Sequence, residues 1–259
     1  MPNPFVWYDL MTPDLPAAEA FYTSVAGWTA ADAGFADRSY ALLSVNGPAG
    51  PAMVAGLMGA PEAMKGAPSF WNGHIGVENV DLMAERVVAE GGKVYRAPED
   101  IPHGIGRFSV VADPGGAVFI LFQPGSPFQT PPPPPPPGTP GFIAWHELQA
   151  ADAEAAWEFY SGLFGWTKVN DIEMGPAGTY RIFSAGGAPI GGIMTKLPEL
   201  PAPSWIYSIG VDSATAAADR ITAGGGKVID GPRQVPGGGW VATAIDPHGA
   251  FFKVISGTK

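Results

Sequence analysis

The chain has 259 residues, 15% charged and 46% hydrophobic, with a formal net charge of −10. That is enough apolar material for one or two packed cores, and it excludes a disordered chain. Cysteine is absent, which excludes disulfides, thiolate metal sites and cysteine nucleophiles, and the 14 basic residues form no patch of the kind that nucleic acid requires.

In chain order, the first strand opens on Trp7. A helix follows: Asp14 is placed to cap it, Ala18, Phe21, Tyr22 and Val25 form an apolar stripe at helical spacing, and Gly27 ends it. Short β-type runs come next, YALLSV (40–45) and MVAGLM (53–58). A second strand opens on Trp71, with a helix stopped at Gly91, then RFSVVA (107–112), a DP-x-G turn from Asp113, and AVFILF (117–122).

The run QTPPPPPPPGTPG (129–141) contains seven consecutive prolines, Pro131 to Pro137. Without backbone donors it favours polyproline II at ~3.1 Å per residue, a stiff spacer of roughly 20 Å, and it reads as a linker rather than a ligand for peptide-binding modules.

Beyond it the sequence starts again. WYDLMTPDLPAAEAFYTSVAGWT (7–29) realigns without a gap on WHELQAADAEAAWEFYSGLFGWT (145–167), with Asp152 and Gly165 in the places of Asp14 and Gly27. WNGHIGVENVDLMAERVVAEGGKV (71–94) realigns on WIYSIGVDSATAAADRITAGGGKV (205–228), whose Gly225 matches Gly91, and IDPHGAFFKVIS (245–256) copies ADPGGAVFILFQ (112–123). Two homologous halves are therefore joined by the proline run, and each half is itself a loose repeat of strand, helix and further strands. The expected boundaries are a first domain over 1–128, a linker over 129–140 and a second domain over 141–259.

Few residues carry a chemical signal. TAGGGKV (222–228) closes a helix and lacks the Ser or Thr of a phosphate loop, and no nucleophile elbow occurs. On the strand at 145–149, alternation turns His146 away from the face of Trp145 and Glu147, so His146 reads as structural. Asp9 shares a face with Trp7, and His74 shares one with Asn72; if the modules pack as pseudo-twofold mates, Asp9 and His74 form a carboxylate–imidazole pair fit for proton transfer. The tryptophans at the module openings, Trp7, Trp71, Trp145 and Trp205, read equally as binding walls and as core filling.

The paired strand–helix–three-strand modules, the FY…GW helix signature and DP-x-G before a final strand resemble the vicinal oxygen chelate superfamily of glyoxalases, bleomycin-resistance proteins and extradiol dioxygenases. The resemblance covers nearly the whole chain apart from the linker and is nearest to tandem-domain glyoxalase-like proteins. It implies an α+β fold of two tandem domains, each of two βαβββ modules curling their sheets around a cup. Metal-dependent members place three ligands there. Carried over, these places fall on Trp7, Asn72 and Ile120 in the first half and on Trp145, Ile206 and Lys253 in the second, none a customary ligand for a divalent cation. The resemblance thus implies a binder of a small aromatic or cationic molecule with no cofactor expected, although a divalent metal in a rearranged site stays open. The alternative is a glyoxalase-type lyase or isomerase, or a dioxygenase, using Asp9 and His74 or a non-standard metal site.

Within this reading Asp9, His74, Glu147 and Lys253 are the candidate catalytic residues, and a Glu147–Lys253 ion pair is expected in the vacated metal place of the second half. Trp7, Asn72, Arg107, Ile120, Trp145, Tyr207 and Trp240 are the candidate ligand contacts, Arg107 and Trp240 at the rim. No apolar run approaches the ~20 residues of a membrane span, and the N-terminal MPNPFVWYDL lacks a signal peptide's basic start and apolar core. The expected setting is cytoplasmic, with a small-molecule partner, no membrane and no nucleic acid, as a monomer of two pseudo-equivalent domains or a homodimer.

Overall fold

A computed structural model describes residues 3–35, 39–47, 50–126, 138–196, 200–236 and 238–259, so the proline run Pro131 to Pro137 lies outside the described residues. The fold is α+β, with four βαβββ modules in sequence order. The first is β1 (Phe5–Thr12), α1 (Leu15–Ala26), β2 (Thr29–Asp32), β3 (Tyr40–Gly47) and β4 (Gly50–Gly59). The second is β5 (Phe70–Gly76), α2 (Val80–Ala89), β6 (Lys93–Ile101), β7 (Gly106–Ala112) and β8 (Val118–Pro124). The third is β9 (Ile143–Ala150), α3 (Ala153–Phe164), β10 (Thr167–Glu173), β11 (Thr179–Ser184) and β12 (Pro189–Thr195). The fourth is β13 (Ser204–Gly210), α4 (Ala214–Ala223), β14 (Lys227–Gln234), β15 (Trp240–Ile245) and β16 (Phe251–Ser256).

Each half contributes one eight-stranded sheet, in the orders β2-β3-β4-β1-β5-β8-β7-β6 and β10-β11-β12-β9-β13-β16-β15-β14. The helix punctuation follows the local chemistry. The Asp14 carboxylate accepts the Ala17 N–H at 3.0 Å and that of Asp152 accepts those of Glu154 and Ala155. Gly27 (φ 71°) and Gly165 (φ 67°) end α1 and α3 in the left-handed region, where a side chain would be strained.

By packing, the modules sort crosswise. One compact unit gathers the second and third modules with the first residues of β1, and the other gathers the rest of the first module with the fourth. In the latter, Phe21 and Tyr22 of α1 pack on Phe252 of β16, with ring centroids 5.9 and 5.4 Å apart. The Tyr22 hydroxyl accepts the Trp71 indole N–H at 2.9 Å and donates to Asp246 of the second DP-x-G turn at 3.2 Å. In the other unit the same parts recur: Phe159, Tyr160 and Phe164 of α3 surround Phe119 of β8, and Trp205 donates to Tyr160 at 3.0 Å. The Tyr160 hydroxyl in turn bonds Asp113 of the first DP-x-G turn, whose carboxyl is pushed up by burial and held partly back by that bond and the Ala117 N–H. Each large apolar ring buried this way contributes about 1.5–3 kcal/mol.

Trp71 and Trp205, 6% and 4% exposed, are therefore core anchors and not binding walls. Their N–H groups tie strand to helix, as a buried indole requires.

Candidate functional site

In the third module, β9 alternates strictly. His146, Leu148 and Ala150 take one face, and Trp145, Glu147 and Gln149 take the other. His146 stacks on Phe5 (centroids 4.3 Å apart, 5° between planes), and its Nδ1 donates to the Ile190 carbonyl at 2.6 Å. Burial pulls its pKa down to about 4, so it is a neutral packing residue near pH 7.

Glu147 is 7% exposed, which is costly for a carboxylate without partners. Tyr180 of β11 supplies one: its hydroxyl accepts the Trp145 Nε1–H at 2.6 Å and donates to Glu147 Oε2 at 3.3 Å. Burial, and then the charge of Glu147, push the phenol well above its ordinary range, so it stays protonated and donates. The Gln149 Nε2–H donates to Glu147 Oε1 at 2.6 Å.

The sheet order explains how Tyr180 reaches that far. Strand β12 lies between β11 and β9, with Gly192 opposite Glu147 in the parallel β9–β12 pair. The tyrosine ring lies across Gly192, where a Cβ would overlap it. The first module repeats the device. Tyr40 of β3 crosses Gly56 of β4, the partner of Asp9 in β1, and donates to Asp9 Oδ1 at 2.7 Å. A carboxylate, a tyrosine and a crossing glycine thus occur once in each half.

The other candidate residues are placed as follows. Asn72 and His74, each 6% exposed, share one face of β5; His74 lies opposite Ile120 in the parallel β5–β8 pair, with Phe122 edge-on at 5.9 Å. Arg107 forms a two-pronged pair with Asp81 of α2 (2.8 Å to each oxygen) and bonds Asp100 at 3.0 Å, so its guanidinium is taken up beside the helix. Lys253 lies opposite Ser208 and Thr243, on the face of β16 away from the buried Phe252 and Val254. Trp240, at the start of β15, lies under the Lys259 ammonium at 5.2 Å.

Tyr207 is fully buried, with its ring 5.3 Å from that of Tyr8. Two residues on from Trp205, it shares that residue's face rather than the one carrying Ile206 and Ser208. Trp7 is only part-buried on β1.

Tyr40, Tyr180, Gly56, Gly192 and Gln149 escaped the reading of the sequence. The repeat held their signal: YALLS (40–44) matches YRIFS (180–184), and AGLM (55–58) matches GGIM (191–194).

The six places at which the resemblance puts metal ligands, Trp7, Asn72 and Ile120 with Trp145, Ile206 and Lys253, bring no imidazole and no carboxylate. Among the described residues no three His, Asp or Glu side chains gather where a metal ion could sit. This donor set does not fit a divalent cation, which prefers such ligands.

A model of the Glyoxalase/Bleomycin resistance protein/Dioxygenase superfamily matches residues 5–121 and 142–254. The chain is 35% identical over 257 residues to "Putative glyoxylase CFP32" of Mycobacterium tuberculosis, covering 96% of this chain and 93% of that protein. It is 29% identical over 266 residues to "Anthracycline biosynthesis protein DnrV" of Streptomyces peucetius, covering 98% and 93%. Among solved structures, the Mn(II)-bound glyoxalase from Novosphingobium aromaticivorans superposes with a TM-score of 0.66 at 18% identity, over 100% of this chain and 82% of that one. The 2,3-dioxygenase LapB from a Pseudomonas gives 0.65 at 15% identity, over 97% and 91%. At such identities the structural likeness speaks for the fold alone.

Proposed function

The chain belongs to the Glyoxalase/Bleomycin resistance protein/Dioxygenase superfamily, and we propose that it binds a small hydroxylated aromatic molecule at a degenerate metal site. The second-half site is the face of β9 that carries Trp145 and Glu147. The observation that carries this reading is the buried Glu147 carboxylate, held by Tyr180 and Gln149 where an apolar residue would cost less. Such a carboxylate accepts a phenolic O–H or an ammonium N–H, and Trp145 beside it offers an aromatic surface. The name of the Streptomyces relative, which spans nearly the whole chain, supports a polycyclic aromatic ligand.

A dihydroxyanthraquinone with both hydroxyls remote from the ring carbonyls is a suitable probe. It should quench tryptophan fluorescence saturably, with one component lost in Trp145→Phe. Glu147→Gln should weaken that component about tenfold or more, as expected for a charge-assisted hydrogen bond worth about 1.5–3 kcal/mol. Absence of quenching at millimolar probe would refute the proposal.

A second reading is proton transfer of the glyoxalase type. It is favoured by the short Tyr40–Asp9 bond, which orients a buried carboxylate, and by the name of the Mycobacterium relative. Asp9 or His74 would then carry the proton. Isomerisation of a glutathione hemithioacetal, lost in Asp9→Asn or His74→Gln without loss of fold, is the outcome this reading expects. No turnover by the native protein would leave binding as the function.

A further inference from the structure

In the sequence repeat, strand β1 matches β9, with Trp7, Asp9 and Met11 in the places of Trp145, Glu147 and Gln149. Carboxylate, tyrosine and crossing glycine are common to the two halves; the third strand position is not. In the second half it holds an amide that is 5% exposed, whose Nε2 is committed to Glu147 and whose Oε1 is buried without a hydrogen-bond partner among the described residues. Turning the amide round would set its oxygen against a carboxylate oxygen, so the orientation is fixed by the charge of Glu147. A buried acceptor without a donor destabilises the folded protein, and an N–H or O–H brought in beside Glu147 removes that cost. A molecule that places adjacent donors beside Glu147 can reach the carboxylate and satisfy the amide oxygen together, and a molecule without donors leaves the amide oxygen unmet.

We propose that Gln149 is the specificity-determining residue of the second-half site. Its Oε1 accepts a hydrogen bond from a hydroxyl or N–H of the bound molecule, and Met11 leaves the first half without this selection. The inference rests on the proposed binding function and deepens it by requiring donors on the ligand. The two halves then differ in what they accept, despite sharing the carboxylate–tyrosine arrangement.

The test compares the dihydroxyanthraquinone with its dimethoxy counterpart, which keeps the ring system and loses the donors. Both are read on the Trp145-dependent quenching of the native full-length chain and of Gln149→Met. The native protein should prefer the dihydroxy probe by about a hundredfold, about tenfold for the hydrogen bond to Glu147 and about tenfold for the satisfied amide oxygen. In Gln149→Met that preference should shrink to about tenfold, the part that the Glu147 bond alone supplies, whatever the change in overall affinity. A purely structural role for Gln149 would weaken both probes alike and leave their ratio in place, which overturns the inference. Equal binding of the two probes by the native protein overturns it without any variant, and means that water or another small donor takes the amide oxygen instead. Binding of neither probe refutes the proposed function itself, and the inference with it.

Discussion

Replacing Tyr22 by Phe removes one oxygen from the centre of a buried three-residue chain and leaves the ring packing against Phe252 and Trp28 intact. Two groups lose a partner. The Trp71 indole N–H, on a side chain 6% exposed, loses its 2.9 Å acceptor. The Asp246 carboxylate, 5% exposed, loses a 3.2 Å donor but keeps the backbone N–H groups of His248 and Ala250 on its other oxygen. Stranding the neutral indole costs about 1 kcal/mol and weakening the carboxylate about 2, so the variant should be destabilised by about 3 kcal/mol. In a chain of this size that lowers the melting temperature by roughly 6–12 °C. Urea unfolding of Tyr22→Phe, Asp246→Asn and the double variant measures the coupling directly. It should reach about 1 kcal/mol or more, because the residues touch. A loss below about 1 kcal/mol, or strict additivity between residues 22 and 246, would refute the pairing of the first helix with the last turn.

Other outcomes follow from single contacts. The folded pKa of His146, about 4, lies below the ordinary 6.5, so the unfolded chain takes up the proton first as pH falls. Stability should be lost between about pH 6.5 and 4, by at most about 3 kcal/mol, and His146→Gln should flatten that part of the stability–pH curve; an unchanged slope would show that other groups set it. Gly192→Ala puts a methyl group into the Tyr180 ring and should cost about 1–3 kcal/mol in thermal stability while weakening probe binding, whereas unaltered binding would detach the tyrosine from the site. Arg107→Met breaks pairs whose acids are largely in solvent, so it should change stability little and leave the quenching curve in place. A tenfold loss of affinity there would instead put the guanidinium on the ligand.

Much of the architecture was legible because it is local. Asp14 before α1, Gly27 after it and the stripe from Ala18 to Val25 act within a few residues of one another, and the structure shows each where its chemistry requires it. Alternation placed Trp145 and Glu147 on a common face and sent His146 to the other, and the same rule, carried two residues further, reaches Gln149. Applied to β13, it also separates Tyr207, which is fully buried, from the face of Ile206 and Ser208. The tyrosines were illegible for a different reason. Tyr40 and Tyr180 act across an intervening strand, and only the sheet order, with β4 between β3 and β1 and β12 between β11 and β9, makes their reach intelligible.

The repeat that revealed the two halves also hid how they assemble. Tyr22 and Tyr160 are equivalent, and so are Asp113 and Asp246 and the strands that follow them, so each tyrosine had two partners of identical chemistry on offer. Hydrophobic pattern, capping and turn signals score both pairings equally, because every local term is the same in each. The structure takes the crossed one, Tyr22 with Asp246 and Tyr160 with Asp113. What distinguishes the pairings must lie in residues that differ between the copies. In the unit of the first and fourth modules the Phe21 ring lies where a side chain on Gly224 or Gly226 would collide with it. The second module has Glu90 and Gly92 at the matching places, and its helix α2 carries Met83, Glu85 and Arg86 where α4 carries Ala217, Asp219 and Arg220. The slimmer α4, with Ala214, Ala217 and Ala218 buried, lets the α1 rings come in close. Exchanging Ala217 for Met would therefore strain the unit of the first and fourth modules by about 1–3 kcal/mol, whereas the reverse exchange at Met83, on a half-buried position of α2, should cost under about 1 kcal/mol; equal effects of the two would mean that helix bulk does not select the partner.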